Sequence, residues 1–296
     1  MDNKLDIIIP AYNGQKYIDN AIQSILKQTI KTLINIYIIN DGSDNNYTNF
    51  IKKYKSIINI KEITNKNNLG LGKTRQIGID NSSSKYFMFI DCDDVFYRND
   101  SIEILYKKIN NNNNINVVSG LIIKENKPEN SIVYTHGKIY RRSFINKYNI
   151  KSINCYSYED LAFNLIIYFL CNDDEYIKLN KIVYLYNKNI DNSLTTTNNN
   201  IILLLKSFLE SYNNAYIYAQ KYNKIYKAKM FLKTMYDNLL LKTNEYKLNN
   251  KFSCETEYIE YNRIIKEFYQ KYKIESSIIL KEYAYINEFI KEVSKW

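Results

Sequence analysis

Apolar positions come first in short unbroken runs separated by polar loops, and only later at helical spacing over long stretches. Leu5 to Ile9 is a run short enough for a buried strand, and Pro10-Ala11-Tyr12-Asn13-Gly14 breaks it before Tyr17 to Gln28 resumes as a helix. Leu33 to Ile39 repeats the strand signal, Asn40-Asp41-Gly42-Ser43-Asp44 ends it, and Thr48 to Tyr54 reads as the next helix. Ser56 to Ile63 is a third strand, followed by the loop Thr64 to Gly72 and a helix from Lys73 to about Asn81; Tyr86 to Ile90 is the fourth strand. Strands alternating with helices predict right-handed crossovers, a mostly parallel sheet flanked by helices, and a ligand crevice beyond the carboxyl ends of the strands. The acid-bearing and glycine-bearing loops each follow a strand, so they should gather on one edge of that sheet.

Farther on, the spacing predicts a helix over Ser101 to Asn110 and strands over Asn116 to Ile123 and Ser131 to Thr135. It then predicts helices over Arg141 to Tyr148 and Tyr158 to Leu170, and short strands at Tyr176 to Leu179 and Lys181 to Tyr186. The polar stretch Asn187 to Asn200 is the boundary candidate, dividing a first domain at 1–197 from a helical region at 198–296. Amphipathic patterns there run over Ile201 to Gln220, Lys224 to Asn244, Glu255 to Lys271 and Ile278 to Val293.

The chain of 296 residues is 45% hydrophobic and 24% charged, which suits a globular protein and argues against wholesale disorder. A formal charge of +10 fits a negatively charged partner, whether nucleic acid, nucleotide phosphate or an anionic membrane face. Lysine drift under A/T codon bias gives the same excess. The cysteines Cys92, Cys155, Cys171 and Cys254 lack zinc-type pair spacing and read as free thiols of a reducing compartment. Met1-Asp2-Asn3-Lys4 leads directly into a strand, and no apolar run reaches membrane-spanning length. Cytoplasmic residence is the expectation, with peripheral membrane contact left open.

In Phe87-Met88-Phe89-Ile90-Asp91-Cys92-Asp93-Asp94 an apolar strand ends in three acids within four positions. Neighbouring carboxylates repel one another unless water solvates them or a cation neutralises them. A solvated turn is one reading. The other is a seat for Mg²⁺ or Mn²⁺, whose hard-ion chemistry suits carboxylate oxygens and leaves positions for phosphate. Glu159 and Asp160 open a helix, where capping by the helix dipole and service as a proton-accepting carboxylate are both open. His136 is the only histidine, so no multi-histidine zinc site can be built, and its role stays open between structure and contact with a diphosphate or metal. Cys92, flanked by acids, reads as a small spacer because their charge raises its pKa.

Taken as an ordered set, Ile8-Ile9-Pro10-Ala11-Tyr12-Asn13, Asn40-Asp41-Gly42-Ser43, Asn68-Leu69-Gly70-Leu71-Gly72 with Arg75, and Asp91-Cys92-Asp93-Asp94 resemble the family 2 glycosyltransferases. The resemblance continues through Gly137-Lys138-Ile139-Tyr140-Arg141-Arg142, Tyr158-Glu159-Asp160 and Ser193-Leu194-Thr195, over about residues 5 to 195. It implies a Rossmann-like catalytic fold of the GT-A type, a nucleotide-diphosphate-sugar donor with UDP favoured, and transfer with inversion at the anomeric carbon. Beside it, the backbone of Pro10, Ala11, Tyr12 and Asn13, the Tyr12 ring and the Asp41 carboxylate suit a nucleobase, although turn roles explain them as well. Gly70 gives tight backbone passage, and Arg75 reaches toward phosphate or the acidic loop.

By resemblance Asp91 bonds ribose, and Asp93, with Asp91 and Asp94, holds a divalent metal, Mn²⁺ or Mg²⁺, at the diphosphate. By resemblance too, Asp160 is the general base and Glu159 positions it or the acceptor. Lys138, Arg141 and Arg142 are candidate partners of the diphosphate, with Lys138 preferred. Asn40 and Gln76 depart from the family pattern, which usually has an acid and an Asn there. The acceptor, whether glycan, lipid or protein, and the oligomeric state are not written in these motifs. Two other readings stand: a nucleic-acid-binding module using the basic, Tyr-rich surface, and an inactive relative serving as an interaction platform.

Overall fold

The first apolar run becomes strand β1 (Leu5–Ala11), every residue of it buried. In the computed structural model, which describes residues 5–129, 132–155, 157–187, 200–249 and 251–280, β1 pairs in parallel with β2 (Ile34–Asn40) and β4 (Tyr86–Phe89), and β2 with β3 (Asn59–Thr64). The strand continues through Pro10 without losing a ladder bond. Ile8 accepts from Ile90 on the β4 side, and pairing with β4 has ended there before Pro10, on the same side, would need an N–H.

The remaining strands are β5 (Val95–Phe96), β6 (Val117–Lys124), β7 (Lys127–Glu129), β8 (Lys138–Arg141) and β9 (Tyr176–Leu185). Among the described residues they complete a nine-stranded sheet of order β3-β2-β1-β4-β8-β6-β9-β5, with β7 beside β6. The sheet is mixed. Its first four strands are parallel, β8 runs antiparallel to β4 and β6, and β6 and β9 are parallel again.

The helices of this part are α1 (Ile18–Leu26), α2 (Thr48–Tyr54), α3 (Leu71–Asn81), α4 (Ser101–Asn110), α5 (Arg142–Lys147) and α6 (Glu159–Leu170). Strand side chains alternate between the two faces of the sheet. Leu5, Ile7, Ile9, Ile36, Ile38, Met88 and Ile90 pack with Ile18, Ile22, Ile25, Ile102, Leu105 and Ile109 of α1 and α4. On the opposite face Ile8 lies under α3, where a Cβ on Gly78 would come 2.3 Å from its Cγ2. Phe89 and Tyr140 there meet Phe163 of α6 edge-on. Each such side chain contributes about 1.5–3 kcal/mol by leaving water.

Two expectations are corrected. Residues 132–135 are not a strand, and Ser131 lies outside the described residues; the strand falls instead at Lys138–Arg141. Two of its four residues are charged yet buried, so its polarity hid it from an apolar pattern. The two expected short strands are one, Tyr176–Leu185, because a bulge in the β6 to β9 register absorbs the polar interruption.

The chain divides into two compact units, Met1–Cys155 with Glu159–Leu194, and Tyr156–Tyr158 with Thr195–Trp296. The second is built on α7 (Ile201–Lys221), α8 (Ile225–Leu248) and α9 (Glu255–Leu280); the Asn200 side chain caps α7 by accepting from Leu203 N. Its tyrosines divide: Tyr212 and Tyr216 are core, the Tyr212 hydroxyl donating to Ala228 O at 2.9 Å, while Tyr226 is exposed. The fourth helix expected there, beyond Leu280, and the Ser193-Leu194-Thr195 motif lie outside the described residues. All four cysteines are free thiols. Among the described residues no helix is long and apolar enough to cross a membrane.

Candidate active site

The loops after β1, β2, β3 and β4 meet at the carboxyl ends of the parallel strands. Asn13 ties the first to the second, its N donating to Ser43 Oγ at 2.9 Å and its side-chain amide exchanging hydrogen bonds with Asp44. Tyr12 beside it is 52% exposed. Asp41 is buried and organises the third loop: Oδ1 accepts from Asn65 Nδ2 and Leu69 N, and Oδ2 accepts from Gly70 N at 3.0 Å. Oδ2 keeps acceptor capacity beyond that one bond. Asn40, where the family usually carries an acid, donates from Nδ2 to Glu62 Oε1 at 3.0 Å, which a carboxylate could not do.

Gly70 sits at φ +88 before α3, a region that favours glycine, and a Cβ on Gly72 would fall 1.8 Å from Ile153 O. These glycines therefore let the segment at Ile153 and Asn154 cross the start of α3. From the first turns of that helix Arg75, only 1% exposed, reaches three carboxylates. One terminal nitrogen donates to Glu159 Oε1 at 2.9 Å and to Asp160 Oδ1; the other donates to Asp91 Oδ1 at 3.1 Å. Asp160 also accepts from Thr135 N and Oγ1 at 3.2–3.3 Å.

Burial pushes the Glu159 carboxyl up, Asp160 adds to that, and Arg75 opposes both. Burial pushes the Asp91 carboxyl up, and the same guanidinium more than offsets it, holding that carboxyl below the ordinary range. Removing one partner of a buried ion network leaves the others uncompensated. Arg75→Met is accordingly expected to lower the free energy of unfolding by about 3 kcal/mol, read in urea; a loss below about 1 kcal/mol would mean the carboxylates find water instead.

The acidic loop is more complex than its sequence suggests. Ligand atoms of Asp91, Asp94 and His136 all lie within 4.8 Å of one another; Asp93 is not in that set. His136 Nδ1 is buried without a hydrogen-bond partner, 3.6 Å from Asp91 Oδ2, and burial keeps the imidazole on the neutral side of its usual pKa. Two carboxylates and a neutral imidazole nitrogen are a donor set for a divalent cation such as Mn²⁺ or Mg²⁺. Burial and the Asp91 charge push Asp93 up to about 6 and Asp94 up to about 8, a repulsion that a cation would relieve. The residues present fit a metal. His136 was left open by the sequence, where a solitary histidine before Gly137-Lys138 was the only signal.

The basic candidates are placed differently. Lys138 is 0% exposed and its Nζ donates to Ile132 O, Tyr134 O and Asn164 Oδ1, bracing residues 132–135 behind the acids. Burial pulls it down to about 7 against the attraction of Asp160. Arg141 donates to the backbone of Ile109, Asn112 and Ile115, and Arg142 pairs with Asp6 at the start of β1. Neither is brought to the acids.

The model of one protein family, "Glycosyl transferase family 2", matches residues 6–170, more than half the chain and every strand end just described. The chain belongs to that family. Among curated family members, it is 35% identical over 109 residues to glycosyltransferase GlyA of Streptococcus pneumoniae, covering 37% of this chain and 15% of GlyA. It is 29% identical over 171 residues to the poly(ribitol-phosphate) β-N-acetylglucosaminyltransferase TarP of Staphylococcus aureus, covering 50% of this chain and 52% of TarP. This family member thus spans about half or less of those two relatives.

In fold it resembles Staphylococcus aureus TarS residues 1–349 in complex with UDP-GlcNAc, with TM-score 0.72, 19% identity, and coverage of 90% of this chain and 81% of that one. It also resembles mannosyltransferase PcManGT from Pyrobaculum calidifontis in complex with GDP-Man and Mn²⁺, with TM-score 0.56, 9% identity, and coverage of 93% and 83%. The architecture is that of a GT-A glycosyltransferase.

Proposed function

We propose that this chain transfers a sugar, with inversion, from a UDP-sugar to an acceptor hydroxyl, with a divalent metal at the diphosphate. The observation that carries the reading is the convergence of Asp91, Glu159 and Asp160 on one buried arginine, with His136 and Asp94 adjoining them. Such a cluster is costly to bury, and a fold would find apolar residues cheaper there. It is explained by chemistry that needs fixed carboxylates on either side of a reacting bond.

In this reading Tyr12 lies along the base, the backbone of Pro10 to Asn13 and the free capacity of Asp41 Oδ2 meet its edge, and Gly70 lets the third loop approach. Asp91 takes ribose, and Asp94 with His136 and Asp91 holds the metal, Mn²⁺ or Mg²⁺, with Asp93 beside them. When bound, the ion supplies Lewis acidity that stabilises charge on the departing diphosphate. Asp160 accepts the proton of the acceptor hydroxyl as that oxygen bonds the anomeric carbon. The bond from that carbon to the phosphate oxygen breaks, and its electron pair leaves with the diphosphate. Thr135 and Arg75 fix the Asp160 carboxylate, Glu159 shares the guanidinium with it, and Lys138 braces the segment bearing Thr135. The acceptor is a glycan, lipid or protein hydroxyl, and the helical unit supplies surface for it, for a membrane face or for a second copy.

The donor class is tested by thermal unfolding with UDP and GDP, each with and without Mn²⁺. UDP with Mn²⁺ is expected to raise the midpoint most, since ligand at 100 times its Kd stabilises by about 2.7 kcal/mol. A larger shift with GDP would reassign the base, and no shift with either nucleotide would remove the donor site.

A further inference from the structure

The strand end of β9 lies beside the acidic loop through the pairing of Phe96 with Tyr184 and Val95 with Leu185, across β5. Tyr184 is completely buried there and touches each member of the Asp91, Asp94 and His136 cluster in a different way. Its hydroxyl donates to Asp94 Oδ2 at 2.6 Å and accepts from the Asp91 backbone N at 3.2 Å. Its ring stacks on the His136 imidazole, 5.2 Å between centroids and 16° from parallel. Tyr134 stacks on the same imidazole at 5.9 Å and 20°. The second oxygen of Asp94 accepts from Asn187 N at 2.8 Å, so Tyr184 in β9 and Asn187 just beyond the strand hold that carboxylate by both oxygens.

We propose that Tyr184 is the positioning residue of the metal site, setting the Asp94 carboxylate, the Asp91 backbone and the His136 ring in one arrangement before a cation binds. The proposal rests on the metal reading of the site given above. A carboxylate oxygen has room for a tyrosine hydroxyl and a cation together, so the bond that orients Asp94 does not compete with ligation. Outer partners of this kind, by holding ligands in one rotamer, are worth 10–100-fold in metal affinity. The Tyr184 hydroxyl and Asp94 are 90 residues apart along the chain.

The test is Mn²⁺ titration followed by the loss of the free-ion EPR signal, with Mn²⁺ alone and with Mn²⁺ plus UDP. It is run on the wild-type chain, Tyr184→Phe and Tyr140→Phe. Tyr140 is equally buried and its hydroxyl bonds Asn164 and Thr135 O, so Tyr140→Phe loses a core hydroxyl without touching the three ligands. Tyr184→Phe is expected to bind Mn²⁺ about 10–100-fold more weakly, with a broadened bound-ion spectrum, while Tyr140→Phe keeps the wild-type constant. Thermal midpoints measured in chelator place the two variants on a common scale of stability. Equal Mn²⁺ affinity in Tyr184→Phe and wild type overturns the proposal and leaves the metal site standing. So does an equal loss in both variants, which would mark a general response to a missing core hydroxyl. No Mn²⁺ binding by the wild-type chain in either condition overturns the metal site and the proposal with it.

Discussion

Asp160→Asn is expected to bind UDP-sugar as tightly as the wild-type chain and to transfer the sugar roughly 10²- to 10⁴-fold more slowly, the range a positioned base contributes. The substitution preserves shape and one acceptor oxygen, so the bond from Arg75 can persist, and Asp91 and Glu159 still neutralise the guanidinium. What disappears is a group able to take a proton at neutral pH. Single-turnover transfer and donor titration, measured separately, divide the outcomes. A fall in donor affinity with unchanged transfer of bound donor would move Asp160 to the donor side; unaltered turnover would remove it from the chemistry.

Stripping divalent cations with a chelator should lower turnover by about three orders of magnitude, near 4 kcal/mol of barrier, recovered on adding Mn²⁺ or Mg²⁺. The physical ground is the unrelieved repulsion within the acidic loop, where burial and the Asp91 charge push Asp93 up to about 6 and Asp94 up to about 8. Asp94→Asn should reproduce the chelated state and resist rescue, because it removes a charged ligand atom from the set with Asp91 and His136. Asp93→Asn discriminates between the two acids: if it is the more damaging, the metal sits on Asp93 as the sequence pattern first implied. Full activity in chelator would leave stabilisation of the leaving diphosphate to the protein alone.

The parallel half of the sheet was legible because each signal is local. The runs at Leu5, Leu33 and Tyr86 are too short for helices, too apolar for loops, and give way within a few residues to glycine or acids. α2 and α4 begin and end at the expected residues, Thr48–Tyr54 and Ser101–Asn110. β8 escaped because a strand whose Lys138 and Arg141 are buried among carbonyls looks, in one dimension, like a surface turn. Arg75 was legible as a cation near acids, yet whether it faces ligand or protein depends on Glu159 and Asp160, 84 and 85 positions away.

The chain's own order of residues thus determined its layered α/β class, the succession of strand-end loops and the family to which they belong, since period and punctuation act over a few residues. Which side chains share a site was decided only by the folded sheet. The order β4-β8-β6-β9-β5 carries His136 and Tyr184 to the acids of the loop between β4 and β5. Attraction between groups some 90 residues apart has no trace in spacing, because it exists only once the strands between them have paired.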